Sequence, residues 1–353
     1  MQLKIPQYKI LQKIGCGSEH QVYKAEQTND SEIYAIKIEK SAQIGQLQNE
    51  NLILEKLNGI QGIPEIKQFG LTAQQKCFII LPLFHCNLLD LVKSKPLSFS
   101  YLLIIGLKVI EILEKVHKKN ILHLDIKPEN IMLSKQIQKE SDILQPGLIQ
   151  LIDFGLSQQF NGNSESLQDV FIGSLNFASR SSHDGSPLGY KDDLESLIYV
   201  LYYLKDLRLP WSEIQLWGLK DEDTEFIKKS KFSFVKTIIY EYKSPLNFSR
   251  LMSYIDSLKY DIMPNYVYIK DLFMQMITAS NGLFSLNQLK QQLSYSIPTQ
   301  SQFGDSEILR LSKYDIFDDI VTDDNSEENI NLIPNLILKY QTKQIKSIKN
   351  IQK

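Results

Sequence analysis

The chain is poor in everything that staples, anchors or strongly charges a protein. It has three cysteines in 353 residues, Cys16, Cys77 and Cys86. Their number is odd, and they lack the close pairs of zinc sites or of a disulfide framework, so a reducing, intracellular setting is expected. No uninterrupted apolar run approaches the roughly 18 residues that a bilayer span needs. The start, Met-Gln-Leu-Lys-Ile-Pro, has no apolar signal core, and Gln2 stands where myristoylation requires glycine. No targeting segment or lipid anchor is expected, and the location expected is cytoplasmic, with the nucleus open. Lys plus Arg (39) nearly balance Asp plus Glu (41), so no excess of cations would drive counterion release from a nucleic acid. Nucleic acid is therefore not an expected partner. No internal repeat is present.

What remains is an ordinary globular composition, 43% hydrophobic and 23% charged, in a chain long enough for two unequal lobes. From Tyr8 to about Leu81, short alternating or β-branched runs are broken by turns: Tyr8 to Ile14, Gln21 to Glu26, Glu32 to Glu39 and Cys77 to Leu81. These predict an antiparallel sheet. One helix is expected within it, over Gln46 to Leu57, stopped by Gly59 and by Gly62-Ile63-Pro64. Beyond Asn87 the spacing is helical over Leu88 to Val92, Ser100 to Lys119, Asp192 to Leu204, Asp223 to Ser230, Leu246 to Leu258 and Tyr266 to Met276. From about Ser294 the composition turns polar, with an acidic stretch from Asp315 to Glu328 and a basic end from Lys339, and a partly disordered tail is expected.

Two short segments carry the chemistry. His123-Leu124-Asp125-Ile126-Lys127-Pro128-Glu129-Asn130 offers an aspartate, a lysine two residues on and an asparagine five residues on. Asp153-Phe154-Gly155 follows an apolar Leu-Ile-Gln-Leu-Ile run. Phosphoryl transfer from ATP needs an acceptor for the attacking hydroxyl's proton (Asp125), a cation beside the moving phosphoryl (Lys127) and hard oxygen ligands for a divalent metal (Asn130, Asp153). His123 reads as a packed core imidazole. Upstream, Gly15 and Gly17 lie between two strand-like runs, where absent Cβ atoms allow backbone to approach phosphates. Val22 is placed to cover an adenine face and Lys37 to reach the α and β phosphates. Glycines between strands are ordinarily just a hairpin turn, and the downstream motifs are what favour the phosphate reading. Lys37 needs a carboxylate to hold its stem, and the short helix offers Glu50 or, less favoured, Glu55.

In this order these residues resemble the eukaryotic protein kinases and, more narrowly, the casein kinase 1 family. Gly173-Ser174-Leu175-Asn176-Phe177-Ala178-Ser179 stands where that family has its Gly-Thr-Ala-Arg-Tyr-Ala-Ser segment. Asp192 to Leu197, Leu209-Pro210-Trp211 and Pro264 to Tyr268 match further landmarks. The resemblance covers about residues 8 to 290. It implies an α+β, two-lobed protein-kinase-like fold: a small antiparallel β-rich N-lobe with one helix over residues 1–81, a hinge at 82–86 and a larger α-rich C-lobe at 87–293. It also implies a monomeric serine/threonine kinase that uses ATP and Mg2+ on protein substrates. Lys37 would pair with Glu50, Asp125 would orient the hydroxyl, and Asn130 and Asp153 would ligate magnesium. Leu81 matches the gatekeeper and Pro82 to Phe84 the hinge that hydrogen-bonds adenine. Ala35, Val22 and Met132 would enclose the ring, with Ile14, Gly15, Gly17 and Ile152 completing the nucleotide site. Asp193 matches a buried aspartate that supports the catalytic loop.

Three departures carry consequences. Glu19-His20 replaces the loop's aromatic and third glycine, giving a more polar flap. Leu124 replaces the arginine that pairs with a phosphorylated activation loop, which implies no need for that modification. Asn176 replaces an anion-binding arginine and puts recognition of phosphate-primed substrates in doubt, although Lys228, Lys229 and Lys231 are placed to favour acidic sequences. A nucleotide-binding scaffold without turnover is the rival reading, motivated by Glu19-His20 and Asn176. Autoinhibition by the acidic tail is a third.

Overall fold

The computed structural model describes residues 5–41, 45–138, 140–162, 171–212, 214, 220–240 and 248–280. The expected polar tail and residues 281–293 lie outside the described residues. Among the described residues, those up to 208 together with 255–280 form one compact unit, and those within 209–254 a second.

In the first unit, β1 (Tyr8–Cys16), β2 (His20–Gln27), β3 (Ile33–Glu39), β4 (Gln68–Leu71) and β5 (Cys77–Pro82) form an antiparallel sheet in the order β1-β2-β3-β5-β4. β-Branched and aromatic side chains alternate with polar ones, so one face of the sheet buries Ala25, Tyr34, Ile36, Ile38, Phe78 and Ile80 with Tyr8 and Ile5. β4 was not expected: its four residues include Gly70 and show no period of their own, and pairing with β5 alone makes them a strand. α1 (Gln46–Lys56) packs on β3 and β5 through Leu47, Ile53 and Leu54. It starts from Gly45 without a side-chain cap, and the Glu39 carboxylate at the end of β3 instead accepts from the Leu47 N–H at 3.0 Å.

Below the sheet come β6 (Cys86–Asn87) and α2 (Leu88–Ser94), which Asn87 caps by accepting from the Asp90 N–H. α3 (Phe99–His117) starts at the Ser98 cap and is apolar on nearly every side, as a helix in the middle of a core must be. β7 (Ile121–Leu122), β8 (Ile131–Leu133), β9 (Ile149–Leu151) and β10 (Gln158–Gln159) are strands of two or three residues, paired as β6-β8-β9 and β10-β7. α4 (Arg180–Asp184), α5 (Tyr190–Asp206) and α8 (Tyr266–Ala279) complete the unit, α3 packing against both α5 and α8. Gly189, before α5, has an ordinary extended φ of −153°. Space requires a glycine there, since a Cβ would stand 1.7 Å from the Tyr260 carbonyl oxygen.

The second unit holds α6 (Asp221–Tyr240) and the start of α7 (Phe248–Ser257). α6 runs well past the expected Asp223 to Ser230, because Val235 and Ile238 continue its buried stripe. Lys231 is a correction to the expected basic surface. Its side chain is fully buried, with the ammonium 5.3 Å from the Trp211 ring centroid. Lys229 is exposed and faces Glu225 at 3.3 Å, and Lys228 is half-buried. No helix among the described residues is long and apolar enough to cross a membrane.

Candidate active site

The sheet presents Lys37 from β3 toward α1 and toward the segment that follows β9. Its Nζ donates to Glu50 Oε2 and to Asp153 Oδ1, both at 2.7 Å. Glu50 is the buried partner. Glu55, the alternative, lies on the exposed side and accepts from Asn51. Burial penalises all three charges, and their mutual arrangement decides the outcome. Lys37 is held above its ordinary range by the two carboxylates, Asp153 is held well below its own by Lys37, and burial pushes Glu50 up against the pull of the same lysine. One cation is thus shared between two acids.

A second cluster adjoins the first. The Asp125 carboxylate accepts from Lys127 Nζ at 2.6 Å, from Ser174 Oγ at 2.7 Å and from the Asn130 amide nitrogen at 3.0 Å. Lys127 also donates to Ser174 Oγ at 3.2 Å. The Ile152 N–H donates to the Asn130 carbonyl at 2.9 Å, which ties this loop to the segment carrying Asp153. His123 tightens the tie. The Asp125 N–H donates to its Nδ1, so the proton of the neutral ring sits on Nε2, which donates to the Ile152 carbonyl at 3.1 Å. Burial lowers its pKa, in keeping with a neutral ring. His123 is the packed core imidazole expected, stacked edge-on against Phe154.

Both clusters depend on strained backbone. Leu124 and Asp153 have φ of +64° and +65°, a region costing ~1–3 kcal/mol for such residues unless the surroundings hold it. Asp193 of α5 holds the first. Its carboxylate accepts from the N–H groups of His123 and Leu124 at 2.8 and 2.7 Å, and pairs with His117 Nε2 at 2.9 Å. Tyr266 of α8 hydrogen-bonds the other His117 nitrogen. The second is held by Lys37 and by Asn49 of α1, whose amide donates to the Gly155 and Ser157 carbonyls. Gly173, with φ of +107°, brings the Ser174 segment so close that a Cβ there would lie 2.8 Å from the Leu124 carbonyl.

Residues 8–255 match the family model described as Protein kinase domain. The chain belongs to the protein kinase family. The antiparallel sheet with α1 is therefore the N-lobe of a kinase domain, and the helices below it belong to the C-lobe. ATP and a divalent metal are the family's general co-substrate and cofactor.

Of the remaining predicted positions of this kinase, Val22, Ala35 and Leu81 lie on the face of the sheet that Lys37 marks, whereas the Pro82 side chain lies on the opposite face with Tyr34. Val22 pairs with Lys37 across β2 and β3, and Ala35 with Leu81 across β3 and β5. Val22, Ala35, Leu81, Met132 and Ile152 are all half-buried, whereas their neighbours Ile36, Ile80, Ile131 and Leu151 are wholly buried. Such a pattern is that of side chains lining a cleft. Ile14 is exposed at a bulge of β1, and Gly15 pairs with Val22. Pro82 is the last residue of β5, opposite Tyr34. With Phe84 and the Gly62–Pro64 turn it lines a cavity of about 400 Å³. The flap at Gly17 is fastened by its own N–H to the His20 carbonyl at 3.0 Å, and its carbonyl accepts from Lys40 Nζ at 2.6 Å.

Leu124, in the place of the family's arginine, packs with Leu122, Tyr190, Phe160, Ile172 and Leu188. An apolar contact thus stands where the resemblance would place a phosphate-binding cation. Arg180 carries no signal in the sequence. Its guanidinium makes two bonds to the buried Glu195 of α5, both at 3.1 Å, and one to Asp256 at 2.7 Å. No local pattern joins these residues, and only the fold brings them together.

Proposed function

We propose that this kinase is a serine/threonine kinase resembling casein kinase 1, which transfers the γ-phosphoryl group of ATP to protein hydroxyls without activation-loop phosphorylation. The observation that carries the reading is the hydroxyl of Ser174 donating to Asp125 while Lys127 contacts both. A carboxylate that already accepts from an aliphatic hydroxyl, beside an ammonium, is arranged to orient an acceptor serine or threonine and take its proton. Lys37, fixed by Glu50, would hold the α and β phosphates. The half-buried side chains Val22, Ala35, Leu81, Met132 and Ile152, with Ile14, would enclose adenine, and the Pro82 to Phe84 backbone would hydrogen-bond it.

The residues present fit magnesium. Asp153 supplies a carboxylate, and Asn130, whose nitrogen is committed to Asp125, has its amide oxygen left to ligate. When bound, the metal neutralises phosphate charge during transfer. Leu124 in its apolar cluster supports activity without a phosphate on the activation segment. A preference for acidic substrates would rest on Lys228 and Lys229 alone, since Lys231 is buried. We also take the protein to be monomeric and cytoplasmic.

The test is phosphoamino-acid analysis of a degenerate peptide pool labelled by the purified chain, before and after phosphatase treatment. Phosphoserine and phosphothreonine at an unchanged rate are expected. Phosphotyrosine, or a rate lost on dephosphorylation, would refute the corresponding part of the proposal.

A further inference from the structure

His20 stands where the flap's third glycine would be, and the fold gives its side chain a direction. Residues opposed across an antiparallel pair point to one face, and side chains alternate along a strand. Val22 is opposed to Lys37, and His20 is two residues before Val22 on β2. Its ring therefore lies on the Lys37 side of the sheet, under the turn of the flap. A Cβ on Gly17 would meet the imidazole at 3.0 to 3.5 Å. The backbone at position 20 is ordinary strand, so nothing there requires a glycine.

Lysines outnumber acids around the ring. Lys37, Lys127 and Lys40 all act on it against Asp153, and Glu39 of β3 stands opposite His20 in the strand pair. Half-burial and those lysines, Lys37 foremost, hold the imidazole at about 4, so at neutral pH it is uncharged and carries one N–H donor. Among the described residues no protein group hydrogen-bonds it. A donor left unengaged by the protein, half out of water and in the field of three ammonium groups, is chemistry suited to a polyanion.

We propose that His20 is a phosphate-binding residue, its imidazole N–H donating to a terminal phosphate oxygen of the bound nucleotide, so that a side chain closes the flap where a glycine would leave only backbone. This rests on the nucleotide-site reading above. It makes His20 a determinant of affinity for the phosphates and leaves adenine recognition unaffected.

Calorimetric binding of ATP, ADP and adenosine to the full chain, wild type against His20→Ala and His20→Gln, tests it. Loss of a hydrogen bond to a charged group corresponds to about 10- to 100-fold in affinity. His20→Ala is expected to weaken ATP and ADP about tenfold or more and adenosine less than about twofold. His20→Gln, which keeps an N–H donor at similar reach, is expected to restore most of the loss. The His20 Cε1 proton resonance of the wild type is expected to shift with ADP and not with adenosine. Equal affinities in His20→Ala, or a loss shared equally by adenosine, would overturn the proposal with the nucleotide site intact. A wild-type chain that binds adenosine and ATP equally well would also overturn it. One that binds neither would overturn the nucleotide-site reading itself and this proposal with it.

Discussion

Lys37 is the residue on which the two acids of the site compete. Its contacts to Glu50 and Asp153 are equal in length, yet burial leaves Glu50 pushed up while Asp153 stays well below the usual carboxylate range. Asp153 is the less buried of the two, and its charge is the one left for the metal proposed above. Glu50 acts through the lysine and also accepts from the Phe154 backbone N–H beside Asp153. Glu50→Gln should therefore lower kcat/KM for ATP by about 10- to 100-fold, the worth of a hydrogen bond between charged groups. Glu55→Gln, on the same helix but bonded only to Asn51, should stay within about twofold in the same steady-state assay. At this scale the sequence was legible where spacing is short. Asp125, Lys127 and Asn130 sit within one loop, and their side chains meet as that spacing suggests. The direction of the His20 ring was not legible, because it depends on the pairing of β2 with β3.

Between elements, α5 does most of the positioning. Asp193 holds the strained turn at Leu124, and Glu195 holds Arg180 at the start of α4. The Arg180 guanidinium overcomes burial and keeps the Glu195 carboxyl below the ordinary glutamate range. The folded state then binds fewer protons than the unfolded one at acidic pH. The pair's contribution is complete above about pH 4.5 and is lost as pH falls through the lowered pKa. Arg180→Gln removes the partner of a buried charge and should cost about 3 kcal/mol at neutral pH. Stranded, Glu195 would take up a proton on folding, which reverses the sign. The Tm deficit of the variant should narrow between about pH 7.5 and about pH 5. A deficit constant across that range would mean that Glu195 is not the group left exposed to the change. Helices such as α3, α5 and α8 were legible from their apolar period. β4 and α4 were not, since four or five residues carry too little period and form only because neighbours pair with or cap them.

In the whole molecule, residues from positions 37 to 193 converge because a sheet and a set of helices each supply one part of a site that no segment contains. The family match over residues 8–255 gives that convergence its meaning. The division of labour between sheet and helices was readable from the change of period near Asn87. The burial of Lys231 against Trp211 was not, because a lysine in a polar helix looks like surface until a distant aromatic covers it. The account stands or falls on Lys37, Asp125, Asn130 and Asp153 acting on one nucleotide. The most direct measurement is transfer of label from γ-labelled ATP to casein in the presence of magnesium, wild type against Asp153→Asn, with both variants shown to be folded. Labelling by the wild type and its loss, by about 100-fold or more, in the variant is the predicted result. Equal labelling by the two proteins would contradict it.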